Sequence, residues 1–227
     1  MTHFDNFARA DTLAGSISTG PQGQGYDLYS DFLLTPDPFG RIVNNRYVMP
    51  APDIVGNRAS YAMNTANGRV LRVGAVIEYN SNTETTVGPY GYVWTIILST
   101  RKSRFTDEML HFMGTHQSWG LEIWSPDGSR RTIASGTFPT PNANGQRGVV
   151  ELTFNTTTSV TVKVPGQSMI VNDAGLAVFD SARYLVLEHF VNGPTANVQR
   201  YPAWYYQVEG APAADPALYA PFESAVR

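Results

Sequence analysis

Along this chain, short runs rich in Val, Ile, Thr, Tyr and Trp alternate with clusters of Gly, Pro, Asn and Asp, and no long stretch keeps the 3.6-residue spacing of a helix face. That is the pattern of an all-β protein. In residues 69–79, Leu71, Val73, Ala75, Ile77 and Tyr79 alternate with positions that include Arg72 and Glu78, which predicts one dry face and one partly wet face. Residues 92–99 are apolar at nearly every position and predict a central strand covered on both sides. Residues 119–125 and 130–136 flank Pro126-Asp127-Gly128-Ser129, where proline sets φ and glycine supplies a positive φ, so they predict a β-hairpin. Further strands are predicted over 149–154, 160–164, 183–191 and 204–209. In the last of these Trp204, Tyr206 and Val208 share one face and Tyr205, Gln207 and Glu209 the other. One short helix is predicted over 106–113, capped by Thr106, with Asp107 and Glu108 at the positive end of its dipole.

The chain has 227 residues, enough to bury a core without staples, and no internal repeat or linker divides it. It reads as one domain over residues 1–209, its first 35 residues partly loop, followed by an Ala/Pro-rich tail at 210–227. Leu218, Tyr219 and Phe222 give that tail an apolar side, which predicts docking on the domain or on a neighbouring subunit of a homo-oligomer. The absence of cysteine excludes disulfides, thiolate metal sites and thiol nucleophiles. A net charge of −3 with scattered bases argues against nucleic acid as a partner. The first 30 residues lack a basic start followed by an apolar run, and no segment has 18 continuous apolar residues, so neither export nor a membrane partner is expected.

The order of these strands, with the pair at 70–79 and 92–99 and the hairpin at 119–124, resembles the concanavalin A-like jelly roll of lectins, laminin-G modules and several glucanases. The opening Phe4-Asp5-Asn6-Phe7-Ala8-Arg9-Ala10-Asp11 also resembles the start of jelly-roll domains in minor tail proteins of phages that infect actinobacteria. The chain departs from that second pattern after Asp11, where Thr12-Leu13-Ala14-Gly15 stands and no tryptophan follows before Trp94. What the resemblances imply is a concanavalin A-like jelly-roll β-sandwich and a virion component assembled in the host cytoplasm. Its partners would be other virion proteins and cell-wall glycan; the alternative is a soluble carbohydrate-binding module or β-glucanase on the same fold.

Strand alternation puts Trp119, Leu121 and Ile123 on one face and Glu122 with Trp124 on the other. An indole that stacks on sugar C–H faces beside a carboxylate that accepts hydroxyl hydrogens is the chemistry of a glycan site, and ordinary core packing of Trp124 is the competing explanation. In the aromatic run 201–206, Tyr205 is the contact candidate, while Trp204 and Tyr206 are explained by the core. The acids on strands are Glu78, Glu122, Glu151, Glu188 and Glu209, and no E-x-D or E-x-E places two on one strand face. A non-enzymatic protein is therefore expected. No catalytic residue, metal ligand or cofactor is assigned, because His111 and His116 lack an H-E-x-x-H context and Asn172-Asp173-Ala174-Gly175 fits turn chemistry as well as calcium.

Overall fold

The computed structural model describes residues 2–5, 7, 27–30, 41–49, 57–79, 94–102, 108–192 and 199–211. In chain order its strands are β1 (Thr2–Asp5), β2 (Asp27–Ser30), β3 (Arg41–Ile42), β4 (Tyr47–Met49), β5 (Asn57–Thr65), β6 (Val70–Glu78), β7 (Trp94–Ser99) and β8 (Met109–Gly114). They continue with β9 (Ser118–Trp124), β10 (Arg130–Thr137), β11 (Arg147–Thr156), β12 (Ser159–Val164), β13 (Gln167–Asn172), β14 (Tyr184–Asn192) and β15 (Gln199–Val208). Two antiparallel sheets result. One has the order β13-β12-β11-β6-β15-β4-β3, with β1 also paired to β15, and the other β10-β9-β8-β7-β14-β5-β2. Neighbours distant in sequence pair in both sheets, as in β6 with β15 and β5 with β14, which is jelly-roll connectivity.

The core is what the inward halves of the alternating strands bury between the sheets. Val73, Ala75 and Ile77 of β6, Trp94, Ile96 and Leu98 of β7, Trp119, Leu121 and Ile123 of β9, and Trp204, Tyr206 and Val208 of β15 belong to one cluster. Each fully buried aliphatic side chain there stabilises the fold by about 1.5–3 kcal/mol. Tyr201 joins the same cluster although it is three residues before Trp204, because a register shift between Arg200 and Ala203 breaks the alternation of β15. Its hydroxyl donates to the carbonyl of Glu188 at 2.7 Å and accepts from the N–H of Thr95 at 3.2 Å, which ties β15 across the core to β14 and β7. Burial holds the Tyr201 phenol far above its ordinary range, so it stays a neutral donor.

The hairpin predicted around residues 126–129 is present as β9 and β10. Ser125 N–H donates to Ser129 at 2.9 Å, and Gly128 carries φ 83°. The helix predicted at 106–113 is corrected: Met109–Gly114 is strand β8, and residues 106 and 107 lie outside the described residues. Met109, Leu110, Phe112 and Met113 are apolar on both faces and sit between β7 and β9, where tertiary pairing outweighs a capping signal. The tail beyond residue 211 also lies outside the described residues. A 3-10 helix, Ala174–Ser181, follows β13; Asp173 caps it by accepting from Gly175 N–H at 2.8 Å. Asp173 also takes a two-pronged contact from Arg131 of β10, at 2.5 and 2.8 Å, which clasps the edges of the two sheets together.

The opening motif has a structural explanation. β1 pairs with β15, and Asp5 accepts from the N–H of Phe7 at 2.7 Å. This bond supports the positive φ of 52° at Phe7, whose ring is fully buried beside Tyr47.

Candidate functional site

Register decides what shares the outer face of the seven-stranded sheet. Glu122 on β9 lies opposite His111 on β8, His111 opposite Ile97 on β7, and Ile97 opposite Val186 on β14. In the same way Gly120, Met113, Thr95 and Glu188 form a parallel row. Trp124 stands one step along β9 from Glu122, opposite Met109. Glu122 and Trp124 therefore share this face, with His111 opposite Glu122 on the neighbouring strand.

Their contacts are specific. The Trp124 indole N–H donates to Glu122 Oε2 at 2.8 Å, and the Thr132 hydroxyl donates to Oε1 at 3.2 Å. The His111 ring stacks on one side of Trp124, with centroids 4.0 Å apart and planes 6° apart. The Arg130 guanidinium carbon lies 3.8 Å from the centroid of the Trp124 ring. Such a cation–π contact is worth about 0.5–2 kcal/mol, depending on desolvation. Trp124 is consequently only 7% exposed. It is not the open platform that its sequence position suggests; it orients the carboxylate instead.

Glu122 is only partly buried, and both of its donors are neutral. The other strand acids differ. Glu78 has Arg46 and Arg147 at 3.0 and 3.3 Å, Glu151 has Arg72 at 2.5 Å, and Glu209 has Arg69 at 3.4 Å. Glu188 is buried on the same face as Glu122 but three strands across and two residues along, about 16 Å at the usual strand spacings. A glycosidase pair needs about 5–9.5 Å, so these two do not form one. Glu122 thus has no cationic partner among its hydrogen-bond donors and lies part-exposed, where its oxygens can accept hydroxyl hydrogens.

Tyr205 is placed elsewhere. It does face away from Trp204 and Tyr206, but on the outer side of the eight-stranded sheet, where it is 2% exposed and packs with Phe4, Val76 and Ala203. Its hydroxyl donates to Glu151 at 2.6 Å, and Arg72 lies over its ring at 5.6 Å. Sequence reasoning brings Glu122 and Trp124 together and leaves out His111, Arg130 and Thr132. Reading residues 109–114 as a strand and extending the hairpin register would have found all three. Among the described residues no three His, Asp or Glu side chains converge as a metal site would, and Asp173 is engaged by Arg131 and its helix cap.

No protein-family model matches this sequence, and no curated protein matches it. Solved structures do match in fold. A beta-agarase A in complex with oligoagarose overlays with a TM-score of 0.61 at 9% identity, covering 91% of this chain and 93% of that one. A glycoside hydrolase family 16 endo-glucanase from Bacteroides ovatus gives 0.56 at 8%, covering 90% and 99%. A seed lectin of Lotus tetragonolobus gives 0.56 at 10%, covering 91% and 97%. The chain is a concanavalin A-like jelly-roll β-sandwich, the architecture shared by these lectins and glycoside hydrolases. Nothing in these comparisons connects the fold with phage tails.

The expectation of a non-enzymatic protein is corrected by the same finding, because hydrolases of this fold overlay almost the whole chain. The physical flaw in that expectation is its restriction to acids on one strand. Neighbouring strands lie about 4.8 Å apart, so a sheet face can supply a second group from an adjacent strand.

Proposed function

We propose that this chain recognises a polysaccharide at the β9–β10 end of the seven-stranded sheet, with Glu122 accepting hydrogen bonds from sugar hydroxyls and Trp124 acting as the positioning residue that aims it. The carrying observation is that Glu122 alone among Glu78, Glu122, Glu151 and Glu209 is held only by neutral donors at a partly exposed position. A part-exposed carboxyl group beside an aromatic ring and a guanidinium suits a polyhydroxylated ligand. The sandwich shared with glucan- and agarose-related structures makes β-glucan and agarose the first ligands to test, and turnover of the bound glycan is part of the reading.

The test is a polysaccharide panel read both by affinity and by release of reducing ends. Binding should weaken at least about tenfold in Glu122→Gln, the cost of a charge-assisted hydrogen bond. Trp124→Phe, which keeps the ring and removes the N–H, should weaken it by less. A ligand bound equally well by wild type and both variants would remove Glu122 from the site. Reducing ends released by wild type and not by Glu122→Gln would assign that carboxylate to hydrolysis.

A second reading, assembly into a phage virion with other virion proteins, is supported only by the opening motif at residues 4–11. Detection of the chain in purified particles is its test.

A further inference from the structure

On the outer side of the eight-stranded sheet, one carboxylate is met by three guanidinium groups. Glu78 shares its face of β6 with Val76, and its side chain is 9% exposed. Arg46 Nε lies 3.0 Å from Oε2, Arg147 Nε 3.3 Å from the same oxygen, and Arg200 Nε 3.9 Å from Oε1. Two of these are fixed by register, since Arg147 and Arg200 stand opposite Glu78 on β11 and β15. The third is delivered by the β3–β4 hairpin. Asn44 and Asn45, both at positive φ, close a turn in which Val43 and Arg46 exchange backbone hydrogen bonds, and Arg46 follows directly.

One negative charge cannot balance three positive ones, so among the described residues the cluster keeps a surplus of two. All three arginines turn Nε to Glu78, which leaves their terminal Nη groups for another acceptor. Each guanidinium side chain is about a third exposed, at 31, 33 and 35%. The side chains are therefore within reach of solvent, with Arg147 hydrogen-bonded to Glu78 through Nε and Arg46 and Arg200 held beside it by charge.

We propose that Arg46, Arg147 and Arg200, held by Glu78, form a second binding site that takes the sulfate or carboxylate groups of an acidic polysaccharide. Guanidinium forks match planar and tetrahedral oxyanions, and a preset fork loses little entropy on binding. An open sheet surface contacts one side of a small ion and holds it weakly, whereas a polymer that repeats the charge gains from linked contacts. A nucleic acid is the less favoured polyanion here, because the chain offers no basic stripe to follow a phosphate backbone. The site lies on the sheet opposite Glu122 and does not depend on the function proposed there.

The experiment measures binding of dextran sulfate, unmodified dextran and single-stranded DNA to the full chain at low ionic strength. The variants are Arg46→Gln/Arg200→Gln, which leaves the Arg147–Glu78 pair intact, and Arg200→Gln alone. The single change removes the guanidinium farthest from Glu78 and keeps the test usable if the double variant melts early. Wild type is expected to bind dextran sulfate and not dextran, with affinity that falls as salt rises. The double variant should bind about tenfold or more weakly and the single one by a smaller factor, while any neutral glycan bound at Glu122 is retained as before. Undiminished dextran sulfate binding by Arg200→Gln and by a folded double variant would overturn the proposal. DNA bound through these arginines as tightly as dextran sulfate would overturn its assignment to a glycan.

Discussion

Glu122 and Glu78 each sit on the outer face of a sheet, and their neighbours are opposite in kind. Glu122 receives an indole N–H and a hydroxyl, both neutral donors. Glu78 receives three guanidinium groups, so the local charge is inverted. The same side chain thus makes an acceptor surface on one sheet and a donor surface on the other. Both outer faces carry a buried apolar layer, Met109, Met113, Ile97, Val186 and Trp124 beside Glu122 and Phe4, Val76, Ala203 and Tyr205 beside Glu78. The difference lies in the polar groups at the rim: an imidazole and an arginine stacked on Trp124 in one case and three guanidinium groups on one carboxylate in the other. What a face can bind follows from which atoms its strands bring opposite one another.

The largest test of this contrast is Gly74→Ala. A methyl group there would lie 2.5 Å from the Tyr205 hydroxyl and 2.7 Å from the carbonyl oxygen of Val150, and the backbone atom cannot swing aside. The expected loss is about 3 kcal/mol in urea denaturation, with the eight-stranded sheet giving way. A loss below about 1 kcal/mol would mean that Tyr205 is not packed against β6 as described.

Removing one hydroxyl from each face sharpens the comparison. Tyr205→Phe takes a 2.6 Å donor from Glu151 in a buried setting and should cost about 2 kcal/mol. Thr132→Val takes a 3.2 Å donor from Glu122 at an exposed residue and should cost no more than about 0.5 kcal/mol. Equal losses in the two variants would contradict the picture of a buried Glu151 and a part-exposed Glu122.

Much of the scaffold is legible in the amino-acid pattern, and the reasons are local. The alternation in β6, the unbroken apolar run in β7 and the Pro-Asp-Gly turn between β9 and β10 each carry their own signal. Strands β5 and β13 do not. Asn57–Thr65 is mostly polar or small, and Gln167–Asn172 is an edge strand with Ile170 exposed, so neither shows a clean period. The pairing of Glu122 with Trp124 follows from a two-residue step on one strand. His111, by contrast, enters only through register with a strand 11 residues away in sequence, which no local rule supplies. The arginines around Glu78 come from β11, β15 and a hairpin turn, and only the assembled sheet brings them together.

A smaller effect is expected at the clasp between the sheet edges. The Arg131 donors, helped by the Gly175 N–H and opposed by partial burial, hold the Asp173 carboxyl below its usual value of 3.8. The folded state therefore favours the ionised form. The resulting stability is complete above the unfolded value and is lost as pH falls through the lower folded value. Asp173→Asn keeps a capping oxygen and removes the charge, so it should cost no more than about 1 kcal/mol at pH 7, from the ion pair, and should flatten the acid limb of a stability–pH curve. An unchanged acid limb would show that the clasp is not formed in solution.

The smallest effect tells stability apart from binding on the Glu122 face. His116 lies in the turn between β8 and β9, where its carbonyl accepts from Asn142 N–H at 2.8 Å while its ring is buried. Burial lowers its pKa from 6.5, because the imidazolium is poorly solvated there. Below pH 6.5 the unfolded chain takes up a proton that the folded chain refuses, so stability is full above that pH and declines as pH falls toward the folded value. Urea midpoints measured from pH 7.5 to 5.5 should show this shallow decline in wild type, and His116→Gln should remove it. The turn leads directly into the strand that carries Glu122, so glycan affinity measured over the same range separates the two effects. A decline in affinity that persists in His116→Gln belongs to groups on the outer face, and one that disappears with His116 belongs to the turn beneath it.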